Sequence, residues 1–291
     1  MMNGTSLKEL LENNARPILV ELDPPRQTDP ATFLAGAEDL ARAGADVITV
    51  ADGPVGRVGI DASLLAAKLK REYGIEVLPH MACRDRNLNA IQALLLGLAM
   101  ERVGSVLLVT GDPVAQRDRE RVKGVFQLNS QTLARAIMEK ERAGELPAFF
   151  LCGALNVNAR HFEAELDKAL RKEDCGIRAF LTQPITSRRA EENLRRARER
   201  LQGWLLGGLF PIVSYKNACF LQENVTGVDI DPEIIRSYEA LDRQQGEERA
   251  RQLCLEIAAR TAEDVDGFYI MTPFQRVALV KSVIAGIRGR D

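Results

Sequence analysis

The stretch Ile18-Leu19-Val20-Glu21-Leu22-Asp23-Pro24-Pro25-Arg26 places a carboxylate near the end of an apolar run, just before two prolines. The apolar run predicts a β-strand, and the prolines predict a turn directly after it. A buried carboxylate is costly unless it is paired or functional. In a barrel of parallel strands, catalytic side chains gather where the strands end. Glu21 is therefore a candidate general acid; the alternative is a glutamate that points into solvent at a strand end.

Short apolar runs recur along the rest of the chain, with longer amphipathic segments between them. Eight such runs lie at residues 18–22, 46–51, 76–81, 105–110, 148–153, 178–182, 204–213 and 267–271. The amphipathic segments lie at residues 31–43, 61–73, 87–102, 130–143, 161–172 and 187–201. Strands that alternate with helices predict right-handed βαβ crossovers and a parallel sheet. Eight such units favour a closed (β/α)8 TIM barrel of the α/β class over an open doubly wound sheet.

The seventh crossover is the irregular part of this predicted barrel. Two helical patterns, at residues 215–224 and 232–242, precede a long helix at 244–261, so extra helices are expected near the C-terminus. No linker rich in proline, glycine or serine interrupts the chain. We therefore predict that residues 1–291 form one barrel domain.

Composition narrows the class of protein further. Of the 291 residues, 46% are hydrophobic, which is enough for a large core. The net charge of -2 argues against nucleic acid or an anionic membrane as a partner. The five cysteines are scattered without a CxxC pair, so neither a disulfide framework nor a zinc site is predicted. The N-terminal segment is polar, and no apolar run reaches the roughly 18 residues that a membrane span needs. We expect a soluble, cytoplasmic protein.

Polar side chains follow nearly every predicted strand. A barrel brings such strand ends together on one face, so their convergence carries more weight than any single motif. The residues concerned are Glu21, Asp23, Asp52, His80, Asp112, Asn156, Asn158, Gln183, Thr272 and Arg276.

Each of these residues also has an ordinary structural explanation. Gly111-Asp112 can be a plain turn before Pro113, and His80 can be a hydrogen-bonded core residue. Arg84-Asp85-Arg86 can be a surface ion-pair ladder, and Lys172 a solvated charge. The sequence has no histidine pair with metal-ligand spacing, so a catalytic metal is not expected. It also lacks a GxGxxG motif after the first strand, so a nucleotide would have to bind through the barrel loops.

Taken together, the strand ends resemble the methylenetetrahydrofolate reductase family, whose members are flavoprotein (β/α)8 barrels. The matching motifs span nearly the whole chain in order: Glu21-x-x-Pro24-Pro25, Pro79-His80-x-x-Cys83, Gly111-Asp112-Pro113, Leu181-Thr182-Gln183-Pro184 and Thr272-Pro273-x-x-Arg276. Further segments are similar to one branch, the reductase half of bacterial proteins that also contain a homocysteine methyltransferase. These are residues 83–87, 124–130 and 211–218.

The resemblance implies reduction of 5,10-methylenetetrahydrofolate to 5-methyltetrahydrofolate, with hydride delivered by a reduced flavin. Glu21 matches the acid that protonates the substrate and opens its five-membered ring. Such an acid needs a pKa near neutrality. Asp112 matches the carboxylate near the flavin and the pterin. Gln183 and Arg276 match positions that bind the substrate.

The resemblance also implies a set of cofactor contacts. His80, Gly111, Asn158 and Lys172 match positions that contact the ribityl and phosphate groups of the flavin. Thr110 and Ala154 occupy cofactor positions where family members often carry arginine and an aromatic residue, and Ala51 stands where they carry threonine. FAD is the expected cofactor, with FMN or weak binding as the alternative. NADH or NADPH is the expected electron donor, with a partner that carries iron–sulfur centres as the alternative.

Two other functions compete with a folate reductase. One is a binding subunit that holds methyltetrahydrofolate and passes it to a methyltransferase; the changes at Thr110, Ala51 and Ala154 leave it open. The other is an aldolase or synthase on the same fold, because barrels host many chemistries. A strand lysine able to form a Schiff base would support the aldolase, and none of the eight predicted strands contains lysine. The oligomeric state cannot be predicted from the sequence.

Overall fold

The architecture is a closed barrel of eight parallel strands in the order β1 to β8, with β8 paired to β1. The computed structural model describes residues 5–114, 116–225 and 227–289. The strands are β1 Ile18–Leu22, β2 Val47–Val50, β3 Glu76–Ala82, β4 Ser105–Val109, β5 Phe150–Leu155, β6 Ala179–Pro184, β7 Trp204–Leu209 and β8 Gly267–Met271. The (β/α)8 barrel predicted from the sequence is therefore confirmed.

Helices surround the barrel and cover its outer face. They are α1 Leu7–Glu12, α2 Ala31–Arg42, α3 Ala62–Tyr73, α4 Leu88–Met100, α5 Ser130–Arg142, α6 Phe162–Asp174, α7 Arg188–Arg200, α8 Tyr215–Asn224, α9 Pro232–Arg236, α10 Arg243–Arg260 and α11 Val277–Ile287. Several begin where a short polar side chain accepts the first free backbone N–H groups, as Asp61, Asn87 and Ser187 do. Among the described residues, no helix combines the length and apolar character that crossing a membrane requires.

The alternation of side chains along each strand divides the core into two layers. Ile18 and Val20 belong to the large outer layer between the strands and the helices. Leu19, Leu78 and Tyr269 belong to the smaller layer inside the barrel. The same alternation carries the side chain of Glu21 to the inside, one step above Leu19.

Helix α1 closes the end of the barrel at which the strands begin. Leu7 and Leu11 pack against the apolar layer inside the barrel. The carboxylate of Glu76, at the start of β3, accepts from the backbone N–H of Leu7 at 3.3 Å and pairs with Lys70 Nζ at 2.5 Å. With this end closed, the open end is the one where the strands finish.

The predicted element boundaries differ from the structure mainly around the seventh crossover. The predicted seventh strand, 204–213, ends at Leu209 because Pro211 cannot continue the ladder of hydrogen bonds. The helix predicted for 232–242 ends at Arg236. The backbone then turns through Ala240, whose φ of 59° lies outside the helical region. The predicted extra helices are present as α8, α9 and α10.

Candidate active site

Glu21 lies inside the barrel near the mouth, where β1 ends. Its side chain is 19% exposed. The hydroxyl group of Tyr269, from β8, donates a hydrogen bond to Oε2 of Glu21. Burial raises the pKa of Glu21 above its usual value, while the bond from Tyr269 acts in the opposite direction. The carboxyl group is therefore held ready to carry a proton at a higher pH than an exposed glutamate.

His80 lies beside Glu21, on the inner face of β3. Its Nε2 is 3.5 Å from Oε2 of Glu21, and this buried nitrogen has no partner with hydrogen-bond geometry. Burial lowers the pKa of His80 to about 4, against smaller opposite effects of Asp52 and Asp23. The imidazole is thus neutral at physiological pH, so it does not form a strong ion pair that would keep Glu21 ionised.

Asp23 follows Glu21 by two residues and stands at the rim of the mouth. Although the residue as a whole is exposed, loss of water around its carboxyl group is the largest cause of a pKa raised to about 6. The charge of Glu21 raises this pKa further, and His80 and Arg57 act against it. Two carboxyl groups with raised pKa values therefore lie next to each other at the end of β1.

One side of the mouth is built from very small residues. By the alternation of their strands, Ala51, Ala82, Gly111 and Ala154 take the inward positions at the ends of β2, β3, β4 and β5. Gly111 has a φ of 89°, and a Cβ there would lie 3.0 Å from the Cβ of Arg84. Glycine is therefore required at 111. These four residues have at most a methyl group as side chain, so little side-chain bulk lines this side of the mouth, next to His80.

The segment that follows β3 fixes the loops on this side of the mouth. Arg86 contacts Asp52 at 2.5 Å and Asp61 at 2.7 Å, which ties the end of β3 to the loop after β2. Arg84 is 8% exposed at its side chain and binds Asp85. The structure therefore argues against a surface ion-pair ladder, because both arginines are largely buried within the rim.

The two predicted residues that follow β4, Thr110 and Asp112, are both exposed. Thr110 is exposed, and its hydroxyl oxygen accepts from the backbone N–H of Ser130 at 3.2 Å, which holds the start of α5. Asp112 is also exposed, and its carboxylate is close enough to Arg84 to help raise the pKa of that arginine. The structure does not bring Asp112 into contact with Glu21.

The predicted residues around β5 are partly engaged by the protein itself. The side-chain amide nitrogen of Asn158 donates to the carbonyl groups of Pro184 and Gly227, at 2.9 Å each. Only its buried Oδ1 has no partner. Lys172 Nζ donates to the carbonyl group of Ala154 at 2.6 Å, and burial lowers the pKa of this lysine.

Gln183 and Arg276 lie on the opposite side of the mouth. Gln183 is part of β6, next to the irregular register between Leu181 and Pro184, and it is only partly buried. Arg276 follows β8 and forms an ion pair with Glu247 of α10. This pair ties the start of α11 to α10.

Sequence reasoning missed Tyr269 and Thr49. Tyr269 precedes Met271 by two residues on β8, so the period of the strand places both on the inner face; this was the available signal. Thr49 pairs in register with Glu21 across β1 and β2, and its buried hydroxyl has no hydrogen-bond partner. In the described ranges, no group of three or more histidine, cysteine, aspartate or glutamate side chains is placed to hold a metal ion.

The arrangement can store a proton on a buried carboxyl group and deliver it to a ligand at the mouth. Burial favours the protonated form of Glu21, His80 stays neutral, and Tyr269 can stabilise the carboxylate once the proton has left. The small residues beside this acid put little side-chain bulk in the way of a flat group.

Comparison with known proteins identifies one family. The sequence model described as "Methylenetetrahydrofolate reductase" matches residues 6–285. A search of curated proteins gave no significant match.

Several solved structures share the fold at 13–14% sequence identity. An uncharacterised protein from Clostridium thermocellum that binds two copies of 5-methyl-5,6,7,8-tetrahydrofolic acid superposes with a TM-score of 0.65, at 14% identity, over 97% of this chain and 98% of that chain. Tryptophan synthase from M. tuberculosis superposes with a TM-score of 0.57, at 14% identity, over 96% and 95%. A 2,3-dimethylmalate lyase superposes with a TM-score of 0.53, at 14% identity, over 97% of this chain and 81% of the lyase chain. At this level of identity the likeness shows the fold alone.

Proposed function

Because the chain belongs to the methylenetetrahydrofolate reductase family, we propose that it reduces 5,10-methylenetetrahydrofolate to 5-methyltetrahydrofolate with a bound flavin. The family carries this activity, and the observation that supports it in this chain is the state of Glu21. A buried carboxyl group with a raised pKa stands at the mouth of the barrel, where a substrate enters. A folate-binding protein of the same fold adds support for the class of ligand.

In this proposal Glu21 is the general acid. Its carboxyl O–H bond breaks, the proton passes to a ring nitrogen of the substrate, and the bonding electron pair stays on the carboxylate. The five-membered ring of the substrate then opens to an iminium ion, which is the form able to accept hydride. The raised pKa of Glu21 suits this role, since the acid must be protonated before each turnover.

The residues of the mouth fit a flavin. The small side chains of Ala51, Ala82 and Ala154, together with Gly111, leave space for a planar ring system against the protein. His80 Nε2 is a buried polar atom without a partner on the edge of that space. The flavin, when bound, would supply the hydride, while the protein orients it and excludes water. His80, Gly111, Ala154 and Lys172 are the residues that would hold it.

The other proposed contacts are to the folate. Gln183, at the end of β6, has an amide that can pair with the donors and acceptors of a pterin ring. Asp112, which follows β4 on the side of the mouth proposed for the flavin, would contact the flavin or the pterin. Arg276 would bind the substrate, although its guanidinium group is shared with Glu247. NADH or NADPH is the proposed source of electrons.

A second candidate is a folate-binding subunit that binds flavin weakly, or that receives its electrons from an iron–sulfur partner. Two of the proposed cofactor residues favour it. Thr110 is uncharged and holds the start of α5, and the amide nitrogen of Asn158 is already bound to two carbonyl groups. Fewer side chains therefore remain to bind a diphosphate.

The experiment that separates the two candidates is a visible absorption spectrum of the purified protein, with and without added FAD or FMN. Anaerobic NADH or NADPH is then added, followed by methylenetetrahydrofolate. The reductase predicts a flavin spectrum that bleaches with the nicotinamide and recovers with the folate. A colourless protein that ignores both flavins yet binds the folate would contradict the reductase and support the binding subunit.

The role of Glu21 is tested by Glu21→Gln. We expect flavin binding and reduction by the nicotinamide to survive, while folate turnover falls by about 10²–10⁴-fold, the usual contribution of a general acid. Glu76→Gln is the matched control, because Glu76 is also a buried strand glutamate with a raised pKa, at the closed end of the barrel. If Glu21→Gln keeps turnover within a few-fold of wild type, Glu21 is not the acid.

A further inference from the structure

The two oxygens of Glu21 are not equivalent. Oε2 accepts the hydrogen bond from Tyr269, and it is also the oxygen that faces His80 Nε2 at 3.5 Å. No described side chain donates a hydrogen bond to Oε1 of Glu21. The protein therefore engages one oxygen of the carboxyl group and leaves the other for a ligand.

The position of Tyr269 in the barrel keeps the two oxygens of Glu21 in different surroundings. It lies in the layer inside the barrel, in register with Leu19, and it is 6% exposed. Its hydroxyl group thus reaches Glu21 from below, from the apolar interior. The ring is fixed by packing against the surrounding layer, so the position of the hydroxyl group is set by the barrel and not by the ligand.

We infer that Tyr269 is a positioning residue for Glu21: its hydroxyl group occupies Oε2 as a donor, so the transferable proton is carried by Oε1 and faces the ligand. This inference rests on the proposed function, because it gives Glu21 the role of acid. A carboxylic acid has one proton, and an oxygen that already accepts a strong hydrogen bond is the poorer place for it. Tyr269 thereby selects which oxygen acts.

The proton passes from Glu21 to the substrate, and Tyr269 keeps its own proton. The Oε1–H bond of Glu21 breaks, an N–H bond forms on the substrate, and the electron pair remains on the carboxylate. The O–H bond of Tyr269 stays intact throughout. Its hydrogen bond becomes charge-assisted once Glu21 is ionised, so it stabilises the product of the transfer more than the starting acid.

The titratable groups that face Glu21 affect its pKa, and therefore the pH profile of kcat by which the role of Tyr269 is tested. They are Asp23 directly after the same strand, His80 from β3 and Tyr269 from β8; the neighbour from β2, Thr49, carries no charge. Burial and the charge of Glu21 raise the pKa of Tyr269 well above its usual value, so this group stays protonated across the working range. It therefore acts as a donor at every pH of interest.

The test is Tyr269→Phe, which removes the hydroxyl group and keeps the ring. Without the donor, the pKa of Glu21 rises, so the high-pH limb of kcat should move up by about one to two pH units. The weaker acid should also lower kcat near neutral pH by about 10- to 100-fold. Flavin content and the KM for the folate should change little. Tyr73→Phe, a tyrosine on α3 without a side-chain hydrogen bond, is the control and should leave the profile unchanged.

Two further measurements separate this inference from the proposed function. A carboxyl ¹³C NMR titration, assigned by difference from Glu21→Gln, follows the pKa of Glu21 without turnover, and Tyr269→Phe should raise that pKa. A double-mutant cycle of unfolding free energy for Tyr269→Phe and Glu21→Gln should show coupling between the two groups. If Glu21→Gln abolishes turnover while Tyr269→Phe changes neither the pH profile nor the titration, the inference about Tyr269 is wrong. If Glu21→Gln retains turnover, the proposed acid is wrong whatever Tyr269 does.

Discussion

Replacing His80 by glutamine should remove one source of the sensitivity of this fold to mild acid. His80 is 10% exposed at its side chain and has no hydrogen-bond partner for Nε2, so its neutral form is the one that the folded protein accommodates. In the unfolded chain the same imidazole is solvated and binds a proton with its ordinary pKa. The two states therefore bind different numbers of protons as the pH falls.

The sign and size of the effect follow from this difference. Because the pKa of His80 is lowered from 6.5 to about 4, the folded state binds fewer protons than the unfolded state between these values. The stabilising contribution is fully present above pH 6.5 and is lost as the pH falls towards 4. At 1.36 kcal/mol per pKa unit, the loss reaches about 3 kcal/mol. Glu21 and Asp23, whose pKa values are raised, change stability in the opposite direction, so the comparison must be made between variants at each pH.

The assay is urea unfolding at a series of pH values from 7.5 to 4.5, followed by circular dichroism and by fluorescence of Trp204, the single tryptophan. Free energies are compared where the two signals coincide. His80→Gln should gain stability relative to wild type as the pH falls. His161→Gln, the other histidine, is exposed at the start of α6 and should keep the wild-type pH dependence. If His80→Gln loses stability in acid as steeply as wild type does, the burial argument for His80 is refuted.

Two other predictions concern the rim of the mouth. Asp23→Asn removes a like charge beside Glu21, so the high-pH limb of kcat should move to lower pH; an unmoved limb would show that the two carboxyl groups do not interact. Arg86→Met leaves two carboxylates without their common partner and should cost about 3–5 kcal/mol of unfolding free energy, measured in urea. Arg71→Met, which breaks a more exposed ion pair, should cost at most about 1 kcal/mol; equal losses in the two variants would contradict the structural role of Arg86.

The barrel could be predicted from sequence because its signal is local and repeated. Each strand is a short apolar run, and several helices begin at a polar cap such as Asp61 or Ser187. The predicted element boundaries are wrong where a proline, or a residue with left-handed backbone conformation, ends an element that the apolar pattern would continue. The segment 204–213 reads as one long strand, yet Pro211 ends its pairing early. These effects depend on backbone geometry that hydrophobicity does not report.

The candidate site was only partly predictable for a different reason. Glu21 and His80 could be placed near each other because both stand at the ends of inward-facing strands. The bond from Tyr269 to Glu21 could not be predicted, because it depends on the length of a ring and on the tilt of β8 against β1. Nor could sequence indicate that the amide of Asn158 is engaged by Pro184 and Gly227, which are distant in the chain.

The pairing of the first strand with the last has a consequence for how the protein is made. The hydrogen bond between Tyr269 and Glu21 joins groups that are 248 residues apart. During synthesis β1 is translated before β8, so Glu21 precedes its tyrosine by the 248 residues that separate them. Until β8 has been made, the carboxyl group of Glu21 lacks the donor that holds it in the folded barrel. The hydrogen-bonded environment of Glu21 therefore forms only when β8 closes the barrel against β1, and a fragment that stops before β8 lacks it.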